Sequence, residues 1–320
     1  MKTSLFDLGR FDDRLSFLYV DRAVVKHTAN AIAIHEFDGV TEVPLASLAL
    51  LMLGPGTKIT HLAVKALADN NCLVVWAGEF GIRFYACGMG GSRHSRNLLR
   101  QARLALDERT RLQVVVRMYC ARFTEEAIDP GLTLQQLRGK EGIRVRQAYA
   151  DASAATGVPW RGRDYKRKDW FAGDPVNRAI SAANACLYGL VHAAILSTGY
   201  SPAIGFIHSG KQLSFVYDIA DLYKVELTIP LAFDVAARRP QHLEREVRAM
   251  ARKRFYEAKL MNRILPDIAR VLSVEDAADE PDEFADDPAL PAELWSPRSF
   301  SLETPIGEIL SHPPGPGGAA

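Results

Sequence analysis

The first ninety positions of the chain alternate between hydrophobic and polar residues in the way that β-strands do. The segments RLSFLYVDRAVVKH and AIAIHEFDGVTEVPL alternate or run apolar, and Asp38-Gly39 marks a turn inside the second. A Gly-Pro-Gly break interrupts LMLGPGTKIT, and NCLVVWAGEFGIRFYACG indicates a hairpin that turns near residues 78–81. The segment THLAVKALADN has a helical period instead. We therefore predict a β-rich N-terminal domain over residues 1–92 that contains one helix.

The hydrophobic period becomes helical from residue 97 onward, after the glycine-rich linker CGMGGSRHSR. NLLRQARLALDERTRLQVVVRMYCARF predicts one long amphipathic helix, and TLQQLRGKEGIRVRQAYADASAATG predicts a second that ends at Gly157. A third begins with Asp174 as N-cap and Pro175 at the first helical position, and two further helical runs follow. The predicted fold class is α+β, with the β-rich domain followed by a larger all-α catalytic domain over residues 93–274.

The composition is that of an ordinary globular protein, with 48% hydrophobic and 24% charged residues. No uninterrupted apolar run approaches the roughly 20 residues that span a bilayer, so we predict no membrane contact. The first residues carry acids and do not resemble a secretory signal. The four scattered cysteines, each among apolar neighbours, indicate reduced and buried thiols in a cytoplasm, and they argue against a zinc site or a disulfide scaffold: Cys72, Cys87, Cys120 and Cys186.

The charge of the chain is distributed unevenly. Residues 275–320 contain eleven acids, and Arg298 is their single basic residue. Subtracting these from the totals of 39 basic and 38 acidic residues leaves 38 and 27 in residues 1–274, an excess of 11 positive charges. A basic body favours a polyanionic partner such as nucleic acid, although charge spread evenly over a surface would have no such meaning. The acidic, proline-bearing tail over residues 275–320 is predicted to be flexible.

The segment AIGFIHSGKQLSFVYDIADLYK places Asp218 and Asp221 three residues apart in a helical run. Residues i and i+3 share a helix face, so two carboxylates there repel unless a cation lies between them. Oxygen ligands favour Mg²⁺ or Mn²⁺. His208 ends the strand-like AIGFI, and the turn at Ser209-Gly210 could fold it back over the aspartates, where an imidazole ligand would favour Mn²⁺. Asp218 as an N-cap, Asp221 as a solvated first-turn acid and His208 as a half-buried histidine are the alternatives.

Glu141 is the candidate for a third acid that completes the site. It stands in LRGKEGIRVRQAY amid basic residues that suit phosphate binding: Arg138, Lys140, Arg144 and Arg146. A surface salt bridge within a charged helix is the alternative, and such pairs are common and contribute little.

Three segments together resemble a known family: LRGKEGIRVRQAY, GDPVNRAISAANACLYG and SPAIGFIHSGKQLSFVYDIADLYK. They are similar to the spacer-acquisition integrases of CRISPR systems, most closely to the subtype I-E form, over roughly residues 10–270. The resemblance implies that Glu141, His208 and Asp221 bind a metal ion, Mg²⁺ or Mn²⁺, and that Asp218 lies beside it and matters to catalysis. It also implies a set of DNA-binding residues: Arg138, Arg146, Arg163, Tyr165, Tyr188, Lys211, Tyr217, Lys224, Arg245, Arg248 and Arg252.

The function that the resemblance implies is metal-dependent DNA integration and cleavage in CRISPR adaptation. The 3′-hydroxyl of a captured DNA fragment, a duplex with single-stranded 3′ ends, attacks a phosphodiester at the edge of a CRISPR repeat. The implied partners are a second copy of the chain and a small ferredoxin-like subunit, with two integrase dimers bridged by one dimer of that subunit. A general Mg²⁺-dependent repair nuclease and a non-catalytic DNA-binding scaffold are the alternative functions.

Overall fold

The structure is a computed structural model, and it describes residues 17–81, 83–88, 95–123, 129, 131–163 and 174–273. The described strands all lie before residue 89, as the alternating pattern predicted. They are β1 (Leu18–Val20), β2 (Val24–Thr28), β3 (Ala31–His35), β4 (Val40–Pro44), β5 (Leu50–Leu53), β6 (Lys58–Ile59), β7 (Leu73–Ala77) and β8 (Phe84–Gly88). The predicted helix among them is α1 (His61–Asp69), and the side chain of Thr60 caps its N-terminus.

The strands form two four-stranded sheets. The first has the order β1-β5-β7-β8, in which β8 is antiparallel to β7 and the other neighbours are parallel. The second has the order β4-β3-β2-β6, and β2, β3 and β4 are successive antiparallel strands. The predicted turns at Asp38-Gly39 and near residues 78–81 are confirmed, because they connect β3 to β4 and β7 to β8.

The strand β5 is buried on both faces of the first sheet, which explains why its sequence LLML runs apolar without alternation. Leu50 and Met52 contribute to a large core shared with the helices, whereas Leu51 and Leu53 contribute to a smaller core with the second sheet and α1. Gly189 allows the close approach of helix to sheet, since a Cβ there would lie 2.5 Å from the Leu50 side chain.

The long helix predicted from residue 97 is two helices, α2 (Arg96–Leu106) and α3 (Glu108–Cys120). Asp107 separates them, and its carboxylate accepts a hydrogen bond from the N–H of Thr110 at 2.8 Å. The prediction of one run was therefore wrong at this residue, because Asp107 acts as an N-cap inside an uninterrupted apolar period.

The next two predicted helices are confirmed. The helix α4 (Leu134–Thr156) has a capping box between Thr133 and Gln136 and ends at Gly157, which has a φ of 69°. The helix α5 (Pro175–Ser197) has Asp174 as N-cap. It is long and apolar enough to pass a length and composition test for a membrane span, but 78% of that stretch is buried inside the protein. It is the central helix of the large core.

The two remaining helical runs are each interrupted. The first comprises α6 (Ser214–Ala220), a π-helical turn over Lys224–Thr228 and α7 (Ile229–Ala237). The second comprises α8 (Leu243–Glu257) and α9 (Leu260–Leu272), which meet at Lys259 in the left-handed region with a φ of 49°.

The predicted fold class is confirmed, since a strand-rich region precedes a helical one. The domain limits at residues 92 and 274 fall among residues outside the described ranges, and they stay predictions, as does the tail over 275–320. Among the cysteines, Cys72 and Cys186 are buried and Cys120 is half-buried, but Cys87 on the edge strand β8 is exposed, contrary to the prediction.

Candidate metal and nucleic-acid site

Asp218 organises the loop that precedes α6. Its carboxylate is fully buried and accepts hydrogen bonds from three successive backbone N–H groups, at 2.6 Å from Phe206, 3.1 Å from Ile207 and 2.9 Å from His208. The same carboxylate lies 2.7 Å from Nδ1 of His208. Asp218 is therefore neither an N-cap nor one half of a pair that shares a cation with Asp221, and both of those interpretations were wrong.

His208 folds back over α6 as predicted, although residues 203–207 form a loop and not a strand. The hydrogen bond with Asp218 holds the pKa of His208 above its ordinary value, while partial burial opposes the charged form. Because Nδ1 is used by Asp218, Nε2 is the ring nitrogen that remains for a ligand. The side chain is 44% exposed, so this nitrogen is accessible.

Asp221 follows the last residue of α6 and contacts two cations. Its Oδ1 lies 2.5 Å from Nζ of Lys224, one helical turn later, and its Oδ2 lies 3.6 Å from Nη2 of Arg122. Burial opposes the charge of Lys224, but Asp221 and Tyr188 together hold its pKa above the ordinary value. Asp221 is thus a half-buried carboxylate and not a solvated one.

Glu141 in α4 forms a salt bridge with Arg144 of the same helix, which was the alternative interpretation of the sequence. It also has a second, buried partner, Arg122. Arg144 forms two hydrogen bonds with its carboxylate, at 2.8 and 3.1 Å. Arg122 adds a third at 3.3 Å. The Glu141 side chain is only 12% exposed, so its carboxylate is largely buried and the pair is not a surface salt bridge.

The donor types of Glu141, His208 and Asp221 fit a divalent cation, since they offer carboxylate oxygens and one imidazole nitrogen. The geometry is not that of a closed metal site. Within the described part of the chain, no three His, Cys, Asp or Glu side chains come together as a metal-binding group. Arginine and lysine side chains contact both carboxylates instead.

Several of the residues predicted to bind DNA surround His208. The Tyr217 ring lies 6.0 Å from the His208 ring and 5.1 Å from the Tyr188 ring, and Nζ of Lys224 lies 4.9 Å from the Tyr188 ring. Lys211, in the loop before α6, is exposed. Aromatic faces and cations in this combination are what single-stranded nucleic acid stacks on and pairs with.

The other predicted DNA-binding residues lie in three places. Arg138 and Arg146 are exposed on α4. Arg163 is half-buried and contacts the backbone oxygen and side chain of Asn177 in α5 at 3.2 Å, so it also joins the preceding loop to the core. Tyr165 lies outside the described residues.

Arg245, Arg248 and Arg252 of α8 line a single groove of about 990 Å³, as their spacing predicted. The guanidinium of Arg248 lies 4.0 Å from the ring centre of Tyr19 in β1. Arg252 donates to the backbone oxygen of Phe17 at 3.1 Å. The groove therefore runs between α8 and the N-terminal strands, and two of the three α8 arginines, Arg248 and Arg252, already contact residues of that region.

Arg122 is the residue of this site that the sequence did not indicate. It stands in the turn after α3, and the motif segments around Glu141 and Asp221 do not include it. The local sequence RMYCARF contains no acid at helical spacing from Arg122. The two carboxylates that Arg122 contacts, Glu141 and Asp221, lie 19 and 99 positions later in the chain.

Comparisons with known proteins give a consistent result. Residues 119–250 match the family model described as CRISPR associated protein Cas1. The chain is 50% identical to CRISPR-associated endonuclease Cas1 2 of Thermus thermophilus, over 91% of this chain and 90% of that protein. It is 45% identical to CRISPR-associated endonuclease Cas1 of Escherichia coli, over 92% and 94%. The solved structure described as a TtCas1-DNA complex is similar with a TM-score of 0.75 and 49% identity, over 83% of this chain and 95% of that one.

Proposed function

Because the chain belongs to the Cas1 family of CRISPR-associated endonucleases, we propose that it is the DNA integrase and endonuclease of CRISPR adaptation. The observation that carries the proposal is the convergence of Glu141 and Asp221 from separate elements on one side chain, Arg122, next to an oriented His208. Two acids held by one buried arginine, with an oriented imidazole beside one of them and further basic side chains around them, suit phosphodiester chemistry.

Glu141, His208 and Asp221 are the residues that would hold the divalent cation, Mg²⁺ or Mn²⁺. When bound, such an ion polarises the phosphate and stabilises the charge that develops on it. Asp218 acts through His208, since its hydrogen bond to Nδ1 orients the ring and directs Nε2 outward.

The DNA strand is bound by residues around these ligands. Tyr188 and Tyr217 offer ring faces, Lys211 and Lys224 offer charges, and Arg138 and Arg146 extend the positive surface along α4. In the reaction, the 3′-hydroxyl of the captured fragment gives up its proton to water, and its oxygen forms a bond to a repeat phosphorus. The bond from that phosphorus to the adjoining 3′-oxygen breaks, and the released oxygen takes up a proton as a hydroxyl. Hydrolysis is the same displacement with water as the nucleophile.

The partners and cellular setting also belong to the proposal. The chain works in the cytoplasm as a homodimer, and two such dimers are bridged by a dimer of a small ferredoxin-like subunit. The preferred DNA is a duplex with single-stranded 3′ ends, and the target is CRISPR repeat DNA. Assignment to subtype I-E rests on the motif resemblance and on the 45% identity with the Escherichia coli protein.

A strand-transfer assay tests the function. Wild-type protein with Mn²⁺ should join a fragment with 3′-hydroxyl ends to repeat DNA, and Glu141→Ala, His208→Ala and Asp221→Ala should each abolish the joined product. Glu226→Ala is the matched control, because Glu226 pairs with Arg263 near the same segment and is not a proposed ligand. Hydrolysis without joining would instead favour a repair nuclease. DNA binding with neither reaction would favour a scaffold.

A further inference from the structure

Arg122 is buried between two carboxylates that come from different parts of the fold. Its side chain is 4% exposed and lies in the turn that follows α3. Nη1 is 3.3 Å from Oε1 of Glu141 in α4, and Nη2 is 3.6 Å from Oδ2 of Asp221 after α6. The guanidinium thus joins the two acids that the proposed function assigns to the metal ion.

The hydrogen bonding of Arg122 is incomplete, although it is buried. Among the described residues, Nε and Nη2 have no hydrogen-bond partner, and Nη2 reaches Asp221 only at ion-pair distance. Buried polar atoms are nearly always hydrogen-bonded, so two unsatisfied nitrogens on one arginine call for an explanation. Charge, more than a full set of hydrogen bonds, holds this side chain in place.

The other cations of the site differ from Arg122 in two respects. Of the two acids, Arg144 pairs with Glu141 and Lys224 pairs with Asp221, each from one turn away on the same segment. Their side chains are 25% and 24% exposed, so they can turn toward solvent without leaving a charge buried. Arg122 alone among these three contacts both acids, and it has no such route to water.

We propose that Arg122 is a positioning residue that holds Glu141 and Asp221 together and competes with the divalent cation for them. The inference rests on the ligand set given under the proposed function. An arginine keeps its charge at every accessible pH, so the competition cannot be relieved by loss of a proton. A dication between the same carboxylates is repelled by the guanidinium until Arg122 gives up at least one of them.

A DNA phosphate supplies the acceptor that Arg122 then lacks. Guanidinium groups pair well with phosphate oxygens, so once Arg122 releases one carboxylate, a DNA phosphate that enters this space can replace that carboxylate as the acceptor. Binding of DNA should therefore weaken the competition of Arg122 for the two carboxylates and raise the affinity of the site for the cation. By reciprocity the cation should raise the affinity for DNA by the same factor.

Direct measurement of Mn²⁺ binding tests the proposal without any reaction. Mn²⁺ affinity is measured by titration calorimetry and by the electron spin resonance of free Mn²⁺. The proteins are full-length wild type, Arg122→Met, Arg122→Lys and Arg263→Met. Arg263 is the control because it lines the same cavity as Arg122 but pairs with Glu226. Each protein is tested alone and with a duplex that lacks 3′-hydroxyl groups.

Without DNA, Arg122→Met should bind Mn²⁺ about tenfold more tightly than wild type, within the usual range of coupling between sites. Arg122→Lys should fall between the two, because an ammonium reaches fewer acceptors than a guanidinium. Arg263→Met should match wild type. DNA should raise the Mn²⁺ affinity of wild type and have less effect on Arg122→Met.

Equal or weaker Mn²⁺ binding by Arg122→Met would overturn the proposal, since a merely structural role predicts one of those results. If Arg122→Met does not fold, as judged by urea unfolding in EDTA, an Arg122→Lys affinity equal to that of wild type overturns it as well. Mn²⁺ binding that survives in Glu141→Ala and Asp221→Ala would show instead that the ligand set of the proposed function is wrong.

Discussion

Replacement of Asp218 by asparagine keeps the shape of the side chain but removes its charge and one of its two acceptor oxygens. In the structure, Oδ2 accepts the N–H groups of Phe206 and Ile207, and Oδ1 accepts the N–H of His208 and faces its Nδ1. An asparagine oxygen can serve only one of these two pairs. Its NH₂ group would then point at donors, and the side chain at this position is fully buried.

The magnitude follows from the number of bonds lost. Hydrogen bonds to a charged group contribute about 1.5–3 kcal/mol each, and a buried donor left unpaired costs about 1–3 kcal/mol. Two such bonds are lost in Asp218→Asn. We therefore expect the free energy of unfolding to fall by about 3 kcal/mol or more, which is a large share of the stability of a typical domain.

Asp221→Asn is the matched control, because it makes the same chemical change three residues later. Asp221 is 19% exposed, its partner Lys224 reaches solvent, and Arg122 keeps Glu141. Its stability loss should be smaller than that of Asp218→Asn, because the Asp221 side chain accepts none of the backbone hydrogen bonds that hold the loop over residues 206–208. Mn²⁺ binding should nevertheless be weakened in both variants, in Asp218→Asn by about 10- to 100-fold through the misoriented His208.

Urea unfolding in EDTA, followed by circular dichroism, measures the stability of the three proteins without any contribution from bound metal. The reasoning would be refuted if Asp218→Asn were no less stable than Asp221→Asn. Such a result would mean that the buried carboxylate does not hold the loop over residues 206–208.

Three further predictions concern other parts of the chain. Burial lowers the pKa of His192 to about 4, below its value in the unfolded chain. The free energy of unfolding should therefore be highest above pH 6.5 and fall by about 3 kcal/mol as the pH drops to 4. In acid-unfolding measurements, His192→Leu should flatten this pH profile. Replacing Arg245, Arg248 and Arg252 by glutamine should weaken DNA binding for any sequence and reduce the slope of log affinity against log salt by up to about 3; an unchanged slope would contradict the groove assignment. Truncation after Leu272 should abolish binding of the small subunit if the tail docks on that subunit. It should tighten non-specific DNA binding if the acids of the tail shield the DNA site. A truncated protein that shows no change in either measurement would contradict both roles.

The helix limits that the sequence predicted correctly are those set by local chemistry. Gly157 and the Asp174-Pro175 pair each define an end through hydrogen bonds or backbone angles within a few residues, and both appear as predicted. The same applies to the turn at Asp38-Gly39, whose effect is local. Such features are readable because nothing distant is needed to produce them.

The helix breaks that the sequence missed are hidden by a hydrophobic period that continues across them. The apolar period continues across Asp107, since helices on both sides of the break bury side chains in neighbouring parts of one core. Lys259 has a left-handed conformation that lysine rarely adopts, so its residue type carries no signal for a helix end. In both cases the hydrophobic period is preserved while the direction of the chain changes.

The same distinction between local sequence and tertiary structure applies to the residues of the site. The residue types at Glu141, His208 and Asp221 were compatible with a metal site but left other roles open, and the family resemblance was what implied that the three act together. The i, i+3 spacing of Asp218 and Asp221 misled, because it describes an isolated helix. The partners of Asp218 are backbone donors of a loop that folds onto α6, and tertiary structure alone brings them there.

Arg122 shows why a residue that acts through others escapes a search by motif. A ligand set is recognisable because each member must be a donor for the same ion, which restricts its chemistry. A cation that bridges two acids needs only charge and reach, and among many arginines it is distinguished by burial alone. Its 4% exposure arises from the meeting of α3, α4 and α6, and no segment contains all three. A search for such residues must therefore begin from the carboxylates in the folded protein and ask which buried charge they share.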